Sequence, residues 1–240
     1  MNVALITGGG SLIGKGVVDA LAKRNWQLVI ADIDQANARE VTSAHGERAS
    51  MMLFDVTDKA AVDAAVSEVC ARHGHLDALV NCAGGMRGLR LQRKPFAETP
   101  PPEWDLILNA NLKGVLNCCH AVLPAMIAAR RGSIVSIAAA RGLRGGPLAS
   151  IYSAAKAAII VFSQSLAQEV GSYGIRVNTV APGSVEARWR TPDMAPSTSP
   201  PLGRETSTHD VGEAVAFLLS DAASHITGSC LDISGGAALH

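Results

Sequence analysis

The feature that most constrains the fold is a glycine-rich turn near the start of the chain. The apolar run Val3–Ile6 leads into Thr7–Gly14 (TGGGSLIG), and a helical pattern starts at Leu12. Glycines let a backbone turn tightly and approach a bound group closely. The helix that follows offers unpaired N–H groups and the positive end of its dipole to phosphate oxygens. Strand, turn and helix together predict the pyrophosphate-binding corner of a βαβ unit.

The rest of the chain alternates short apolar runs with longer helical patterns. Strands are predicted at Val3–Ile6, Gln27–Ala31, Ala49–Phe54, Ala78–Asn81, Ser133–Ile137, Arg176–Val180 and Cys230–Ile233. Helices are predicted at Leu12–Arg24, Gln35–His45, Lys59–His73, Pro102–Ala129, Ile151–Tyr173 and Asp210–Leu219. This alternation favours βαβ units, and right-handed crossovers place helices on both faces of the sheet. We therefore predict a single α/β domain over residues 1–240, a Rossmann-type doubly wound fold with a seven-stranded parallel sheet.

The composition fits that fold and argues against several other classes of protein. Hydrophobic residues make up 48% of the 240 residues and aromatic residues only 4%, as expected where aliphatic helices pack on a parallel sheet. The formal net charge is zero, which argues against nucleic acid or a membrane surface as a partner. We read no signal peptide and no transmembrane helix. The five cysteines have no metal-ligand spacing, so we expect no metal and a cytoplasmic location with reduced thiols.

Asp32, just after the second predicted strand, indicates which dinucleotide is bound. A carboxylate there can accept hydrogen bonds from both ribose hydroxyls of the adenosine half and would repel a 2′-phosphate. Ser11 and Ile33 are neutral, and no lysine or arginine is placed to hold that phosphate. NAD is therefore predicted over NADP. The alternative, that Asp32 only caps a turn, fits its position in Ala-Asp-Ile-Asp less well.

One segment breaks the alternation of strands and helices. Residues Arg188 to Ser207 contain Pro192, Pro196, Pro200 and Pro201, which disfavour regular structure. The segment follows the sixth strand, so it lies at the carboxyl edge of the sheet, where open α/β folds bind ligands. It is either a short lid over the site or a plain surface loop.

Further short motifs follow one another from Thr7 to Gly236. They are Thr7–Gly14, Asp55-Val56, Asn81–Gly84 (NCAG), Asn111 in Asn-Leu-Lys-Gly, the pair Tyr152 and Lys156, and Pro182-Gly183. Their order and spacing resemble those of the short-chain dehydrogenase/reductase family. The resemblance implies a small alcohol or carbonyl substrate and a homotetramer or homodimer. It also implies these cofactor-binding residues: Gly8, Ser11, Leu12, Ile13, Gly14, Asp32, Asp55, Val56, Asn81, Ala83, Gly84, Tyr152, Lys156, Pro182, Gly183 and Val185.

The Tyr152–Lys156 pair predicts acid–base chemistry. Residues four apart share one face of a helix, and an ammonium beside a phenol favours the phenolate. We therefore expect Lys156 to lower the pKa of Tyr152, so that the phenol exchanges a proton with an alcohol or carbonyl oxygen. Alone, such a pair could be a plain surface pair. The resemblance implies that Lys156 also holds the nicotinamide ribose and that Asn111 supports a water relay.

The sequence departs from the family pattern at the catalytic serine. The family places this serine thirteen residues before the tyrosine, and here the position is Ala139. Removing one donor to the substrate oxygen typically costs about 10²–10³ in rate. The enzyme is therefore slow, uses another donor, or has become a cofactor-binding protein without catalysis; an engineered alanine is a further alternative. Ser136 and Ser150 are unlikely substitutes by position. Smaller departures are Leu12 for a motif glycine, Cys82 for asparagine and Ala187 for threonine.

Clues to the substrate are few. Basic residues cluster after the fourth and fifth strands, where they either recognise an anionic group or are solvated loop residues: Arg87, Arg90, Arg93, Lys94, Arg141 and Arg144. Reduction of 3-oxoacyl thioesters is common in the family, yet Tyr173 lies where such reductases often carry a basic residue. The predicted function is an NAD-dependent oxidoreductase interconverting a secondary alcohol and a ketone. The alternatives are a non-catalytic NAD-binding protein and, less favoured, a scaffold that binds no nucleotide.

Overall fold

The structure, a computed structural model, describes residues 1–86, 89, 91–185 and 200–238. In that part of the chain the strands are β1 Val3–Thr7, β2 Gln27–Asp32, β3 Ala49–Leu53, β4 Ala78–Asn81, β5 Gly132–Ile137, β6 Ile175–Pro182 and β7 Cys230–Ile233. The α-helices are α1 Leu12–Ala22, α2 Gln35–His45, α3 Lys59–His73, α4 Pro101–Leu108, α5 Gly114–Ala129, α6 Ala140–Arg144, α7 Ser150–Val170 and α8 Thr208–Leu219.

The strands form one parallel sheet in the order β3-β2-β1-β4-β5-β6-β7. The predicted fold class is confirmed, and each predicted strand lies within two residues of its observed bounds. The helix predicted at Pro102–Ala129 is present as one continuous helical segment, Pro101–Ala129. It contains a π-helical turn at Asn109–Lys113 that was not predicted, and the short helix α6 was not predicted either.

Two hydrophobic cores hold the helices against the sheet. Successive side chains of a strand point to opposite faces, so Leu5 packs into one core and Ile6 into the other. The Leu5 face is covered by α3, α5 and α7, which contribute Val66, Val122 and Ile159. The opposite face is covered by α1, α2 and α8. Helices on both faces bury the central strands such as β1 and β4, which is why these strands read as continuous apolar runs, whereas the edge strands β3 and β7 are only partly buried.

The strand order places a crevice at the carboxyl end of β1. The chain runs from β1 outward to β2 and β3, and then returns to the other side of β1 to form β4. The loops after β1 and β4 therefore diverge, and a crevice opens between them. Ligands of doubly wound sheets bind at such a reversal of strand order.

The residues on either side of the prolines in the Pro-rich segment, Val185 and Thr206, are paired with each other. Val185 forms an isolated parallel bridge with Thr206, and the Thr206 N–H donates to the Ser184 carbonyl at 3.0 Å. Residues 188–199 of the predicted lid lie outside the described residues. The end of the predicted segment is a helix start, because Ser207 caps α8 through a reciprocal pair of bonds with Asp210.

The segment Pro101–Ala129 is long and apolar enough to cross a membrane, with a mean hydropathy of 1.4. Its buried face lies on the sheet, where Val115, Cys118, Val122 and Met126 join the core. A helix that covers a sheet in this way passes the same test of length and composition, so the segment is weak support for a membrane span.

Candidate active site

The glycine turn is packed so closely that side chains cannot enter it. Gly8 has a φ of +63°, and a Cβ atom there would lie 2.7 Å from the Ala83 nitrogen. A Cβ atom on Gly14 would lie 2.2 Å from the Gly8 carbonyl oxygen. Ser11 caps α1 by accepting a hydrogen bond from the Gly14 N–H at 3.1 Å. The first turn of α1, with Leu12 and Ile13, therefore faces the crevice mouth with N–H groups that have no partner within the helix.

The Asp32 carboxylate is fixed at the edge of this turn. It accepts the Gly10 N–H at 2.9 Å and the Asp34 N–H at 3.0 Å. Both bonds use backbone donors, so the carboxylate position is set by the main chain of the glycine turn and of the loop after β2. Asp34, and not Asp32, caps α2, by accepting the N–H groups of Ala36 and Asn37.

Asp55 and Val56 lie in the loop after β3, and Asn117 of α5 holds that loop. The Asn117 side-chain amide donates to the Val56 carbonyl at 2.9 Å. Asp55 is exposed and accepts the Thr57 N–H at 2.8 Å, which leaves Val56 packed against the sheet core. Asn117 was not singled out from the sequence, because its partner lies about sixty residues away and no local pattern links them.

The loop after β4 borders the crevice opposite Asp32. Asn81 is buried and donates to Ser136 Oγ at 3.0 Å. Ala83 lies directly against Gly8, and its N–H donates to Thr7 Oγ1 at 3.4 Å. The ends of β1 and β4 thus form one continuous wall. Within this wall the hydroxyl of Ser136 is hydrogen-bonded to Asn81. This agrees with the expectation that Ser136 does not replace the missing serine.

Asn111 sits in the π-helical turn between α4 and α5 and is fully buried. Its Oδ1 accepts the Gly85 N–H at 2.6 Å, and its Nδ2 donates to the carbonyls of Gly85 and Ile107 at 3.2 and 3.0 Å. Gly84 has a φ of +133°, and a Cβ there would lie 2.7 Å from Asn111 Oδ1. The side chain of Asn111 therefore joins the loop Gly84–Gly85 to its own helix, because it bonds twice to Gly85 and once to the Ile107 carbonyl.

Tyr152 and Lys156 lie on the first turns of α7, as predicted. Lys156 is buried and its Nζ donates to the Ile137 carbonyl, at the end of β5, at 2.8 Å. The same Nζ lies 5.7 Å from the centroid of the Tyr152 ring. The ammonium thus lies within reach of the Tyr152 ring.

The prediction that Lys156 lowers the pKa of Tyr152 was wrong. Burial raises the pKa of Tyr152, and the positive charges that oppose this rise belong to Arg93 and Arg141. Burial lowers the pKa of Lys156 to about 8, against a smaller opposing effect of Cys82. Burial desolvates the ammonium of Lys156, so its own charge is disfavoured, and the pKa of the buried Tyr152 rises instead of falling.

Ala139 lies where β5 gives way to α6. It is partly exposed, its backbone is extended, and it occupies the N-cap position of α6 without a side-chain cap. Ser150 begins α7 and lines the same cleft as Tyr152. This shallow cleft is lined by Met86, Gln92, Lys94, Phe96, Thr99, Glu103, Ile107, Leu148, Ala149, Ser150, Ile151 and Tyr152.

The remaining predicted cofactor residues lie at the end of β6. Pro182 is the buried last residue of that strand. Gly183 lies so close to Ser234 that a Cβ added to the glycine would be 3.0 Å from the Ser234 Cα atom. Val185 follows in its bridge to Thr206. Ala187, the predicted departure from threonine, lies outside the described residues.

The six basic residues singled out from the sequence separate into distinct groups. Lys94 forms an ion pair with Glu103 at 2.7 Å. The positive charges of Arg93 and Arg141 favour a lower pKa of Tyr152, against the larger effect of burial. Arg144 is exposed beside Arg141. Arg87 and Arg90 lie outside the described residues.

All five cysteines have free thiols, as expected for reduced cysteines. Burial raises the pKa of Cys82 and of Cys119 to about 12, and it also raises the pKa of the other three thiols. Thiols with raised pKa values are poor nucleophiles. Among the described residues no three histidine, cysteine or acidic side chains converge as a metal site would require.

Comparison with known proteins identifies the arrangement. A family model described as enoyl-(acyl carrier protein) reductase matches residues 10–238. The 3-oxoacyl-(acyl-carrier-protein) reductase FabG of Chlamydia trachomatis is 36% identical over 251 residues, which cover 99% of this chain and 97% of the relative. The FabG of Escherichia coli is 35% identical over 98% of this chain and 96% of its own length.

The chain belongs to the short-chain dehydrogenase/reductase family.

Solved structures of this family superpose closely on the chain. The NAD⁺-bound xylitol dehydrogenase gives a TM-score of 0.91 at 27% identity, covering 98% of both chains. The 3-ketoacyl-(acyl-carrier-protein) reductase of Brucella melitensis in complex with NADH gives 0.90 at 32% identity, covering 99% of this chain and 98% of its own. The protein is therefore a short-chain dehydrogenase/reductase oxidoreductase that binds a nicotinamide cofactor and acts on a small-molecule substrate.

Proposed function

We propose that this short-chain dehydrogenase/reductase uses NAD(H) to interconvert a secondary alcohol and a ketone. The observation that carries the proposal is the Asp32 carboxylate, fixed by the N–H groups of Gly10 and Asp34 at the edge of the glycine turn. A carboxylate held there favours two ribose hydroxyls and disfavours a 2′-phosphate. Two solved relatives, with NAD⁺ and with NADH, lend further support.

The residues of the crevice fit a dinucleotide. The glycine turn is a cradle that a Cβ on Gly8 or Gly14 would fill, and α1 directs its first N–H groups to the crevice. The turn and α1, including Gly8, Ser11, Leu12, Ile13 and Gly14, would hold the pyrophosphate. The adenosine half would lie against Asp32, Asp55 and Val56, and the nicotinamide half would lie against Asn81, Ala83, Gly84, Tyr152, Lys156, Pro182, Gly183 and Val185.

Bound NAD(H) supplies the hydride acceptor or donor, and the side chains handle the proton. Tyr152 Oη donates a proton to the carbonyl oxygen during reduction and accepts it from the alcohol during oxidation. Because burial raises the pKa of Tyr152, the phenol is protonated at neutral pH and is ready to donate. Reduction is therefore favoured at neutral pH, and alcohol oxidation increases as the pH rises. Lys156 holds the ribose, and Asn111 supports the relay by fixing the loop Gly84–Gly85.

A second candidate function is NAD binding without catalysis, which Ala139 favours. The neighbouring Ser136 is bound to Asn81, so the described part of β5 offers no hydroxyl in its place. Tyr152 and Lys156 nevertheless remain together on α7. Catalysis at a reduced rate therefore explains the retained pair better than complete loss of function.

The named relatives suggest 3-oxoacyl thioesters as one substrate class. Tyr173 supplies no charge at the position where such reductases often have a basic residue, but the Arg130 guanidinium lies 5.8 Å from its ring centroid. Arg130 thus supplies a positive charge beside Tyr173. A homotetramer or homodimer through α5 and α7, in the cytoplasm, completes the proposal, with no membrane or nucleic-acid partner.

The proposal is tested by fluorescence titration with NADH and NADPH, followed by turnover on ketones and secondary alcohols. We expect NADH to bind about tenfold more tightly than NADPH, and Asp32→Ala to remove this preference. Asp34→Ala is the matched control, because it removes a neighbouring carboxylate that caps α2. Tyr152→Phe should reduce turnover about 10²–10⁴-fold and leave NADH affinity unchanged.

Equal affinity for NADH and NADPH would refute the NAD assignment. Turnover that survives in Tyr152→Phe would refute the role of the tyrosine. Tight NADH binding with no turnover on any ketone or alcohol would favour the second candidate function.

A further inference from the structure

The loop after β3 is tied to the fold at both ends. Phe54, at its start, donates its N–H to the Asp32 carbonyl at 3.3 Å. Asp58, at its end, caps α3 by accepting two N–H groups from the first turn of that helix. Between these ends lie Asp55 and Val56, against which the adenosine half of the cofactor is proposed to lie. The position of these two residues therefore depends on what supports the middle of the loop.

Asn117 of α5 supports the loop through its backbone. Asn117 is 8% exposed, and its Nδ2 donates to the carbonyl oxygens of Val56 and Thr57 at 2.9 and 3.4 Å. Both carbonyl groups belong to the main chain, so the bonds fix the path of the loop rather than one of its side chains. An apolar residue at position 117 would remove this donor from both partly buried carbonyls, which have no strong interaction without a partner.

Gly114, one helical turn before Asn117, supports the loop through a side chain. A Cβ atom on Gly114 would lie 2.5 Å from Val56 Cγ2 and 3.1 Å from Val56 Cβ. A glycine within a helix costs about 0.5–1 kcal/mol relative to alanine. Here the glycine leaves room for Val56, whose side chain therefore lies close against α5. Residues three apart share one face of a helix, which is why both contacts reach the same loop residue.

Val56 is partly buried and packs against the core on the Leu5 face of the sheet. Asp55, beside it, is exposed, and its carboxylate accepts the Thr57 N–H within the loop. The pair is thus backed by α5 and keeps accessible surface for a ligand. A gap of about 0.5–1 Å forfeits about a quarter to a half of the dispersion attraction between two atoms. A small shift of this wall is therefore enough to weaken its contacts with a flat ring.

We propose that Gly114 and Asn117 are positioning residues for the adenosine half of the cofactor. They act through Val56, because Asn117 fixes its carbonyl group and Gly114 leaves space for its side chain. The affinity of the crevice for adenosine is thus set from α5, about sixty residues further along the chain. This inference rests on the proposed function, which places the adenosine half against Val56, and it deepens that function by naming what holds this wall in place.

The test uses two probes that each carry one half of NADH. ADP-ribose contains the adenosine half without the nicotinamide, and reduced nicotinamide mononucleotide contains the nicotinamide half without the adenosine. Calorimetric titration measures both probes on the natural chain, on Asn117→Leu and on Gly114→Ala. Each variant should bind ADP-ribose about tenfold more weakly, because it loses a hydrogen bond or close packing at the wall. Reduced nicotinamide mononucleotide should bind within about twofold of its affinity for the natural chain, because its binding does not involve this wall.

A second substitution separates positioning from a general effect on the fold. Val56→Ala removes the Cγ2 atom that an added methyl group on Gly114 would meet. Alone, Val56→Ala should weaken ADP-ribose binding about threefold, because the wall loses two methyl groups. Combined with Gly114→Ala, it should instead restore ADP-ribose affinity to within about threefold of the natural chain. Such a reversal of sign in a double-mutant cycle is expected where the two residues interact directly.

Asn178→Leu is the matched control for Asn117→Leu. Asn178 is also buried, and its side-chain amide donates to the Ile226 carbonyl at 2.9 Å and accepts the Ser229 N–H at 3.0 Å. The change removes buried hydrogen bonds of the same kind between β6 and β7, at the opposite edge of the sheet. It should lower the midpoint of urea unfolding and leave the ratio of the two probe affinities unchanged.

Unchanged ADP-ribose affinity in Asn117→Leu and Gly114→Ala would overturn the inference, and so would an equal loss for the two probes. Failure of Val56→Ala to restore binding in Gly114→Ala would also overturn it. Should Asn117→Leu not fold, Gly114→Ala and the double variant decide the test. The proposed function fails separately, through a preference for NADPH or an absence of turnover. The two probes carry no 2′-phosphate and need no turnover, so they still decide the inference.

Discussion

The cofactor half of the crevice is held mainly by backbone atoms, whereas the substrate half is made by side chains from separate loops. On the cofactor side, Asp32 accepts two backbone N–H groups, and the glycine turn lies directly against Ala83. On the substrate side, Tyr152 shares a cleft with residues from the loop after β4, from α4 and from the start of α7. The two halves meet at Lys156.

This difference explains where the chain keeps the family pattern and where it departs from it. A backbone cradle limits which residues fit, because an added Cβ at Gly14 collides with a carbonyl oxygen. A surface of side chains can change one residue at a time, as at Ala139, without moving the sheet. The chain therefore retains most of its cofactor motif, while its substrate half has alanine at the position of the family's serine.

The largest effect is expected from restoring one oxygen atom on the substrate side. Ala139→Ser should raise the rate of ketone reduction about 10²–10³-fold, because the hydroxyl can donate to the substrate oxygen. It should also stabilise the protein by about 1 kcal/mol, because Ala139 is the uncapped N-cap residue of α6. Steady-state kinetics and urea unfolding measure the two effects.

Ala139→Val is the control, since it adds bulk to an extended residue without adding a donor. NADH affinity should stay the same in both variants. If Ala139→Ser binds NADH but is no faster than the natural chain, then the serine is not what limits the substrate half.

Lys156, where the two halves meet, is expected to reduce stability. Its pKa is lowered to about 8 in the folded protein, so below that pH the buried charge of Lys156 destabilises the folded state. From its ordinary pKa near 10.4, this amounts to roughly 3 kcal/mol at pH 7. Between about pH 8 and 10 the unfolded chain binds more protons, so the stability of the natural protein rises with pH.

Lys156→Met should therefore raise the free energy of unfolding at pH 7 by up to about 3 kcal/mol while removing activity. The gain should shrink as the pH rises above 8, which urea unfolding at pH 7 and pH 9.5 measures. A gain that is equal at both pH values would show that the destabilisation does not come from the charge of Lys156. A loss at pH 7 would show that the bond from Lys156 to Ile137 outweighs the cost of burial.

The smallest effect in free energy is expected from a single methyl group on the cofactor side. Gly14→Ala should destabilise the protein by about 1–3 kcal/mol and weaken NADH binding, because the added Cβ displaces the glycine turn. Gly171→Ala is the matched control, since its backbone is helical and nothing lies within 4 Å of its Cβ position. Thermal unfolding and NADH titration that fail to distinguish the two variants would contradict the backbone-cradle description.

The features that could be predicted from the sequence are those written in local patterns. The apolar strands, the glycine turn and Asp32 depend on neighbours in the chain, and the structure places them where the pattern predicted. The π-helical turn at Asn109–Lys113 could not be predicted in this way, because its residues are ordinary in a helix and its partner Gly85 is distant. The hydrogen bond between Asn117 and Val56 could not be predicted for the same reason, because the two residues are distant in sequence.

The electrostatics of the site were the least predictable part. The spacing of Tyr152 and Lys156 indicated a shared helix face correctly, but it could not indicate that the ammonium lies over the ring. Nor could it show that the charges of Arg93 and Arg141, distant in sequence, oppose the rise that burial causes in the pKa of Tyr152. Such effects depend on burial and on contacts between loops, which only the folded chain provides.

The bridge between Val185 and Thr206 makes the intervening sequence a replaceable cassette. Since its two ends are paired with each other, the residues between them can be exchanged for a longer or shorter piece without altering the distance that the piece must span. Each doubling of a flexible loop adds only about 0.6 kcal/mol to the entropy of closing it. Natural divergence or laboratory grafting can therefore replace this stretch of sequence while the dinucleotide cradle is inherited intact.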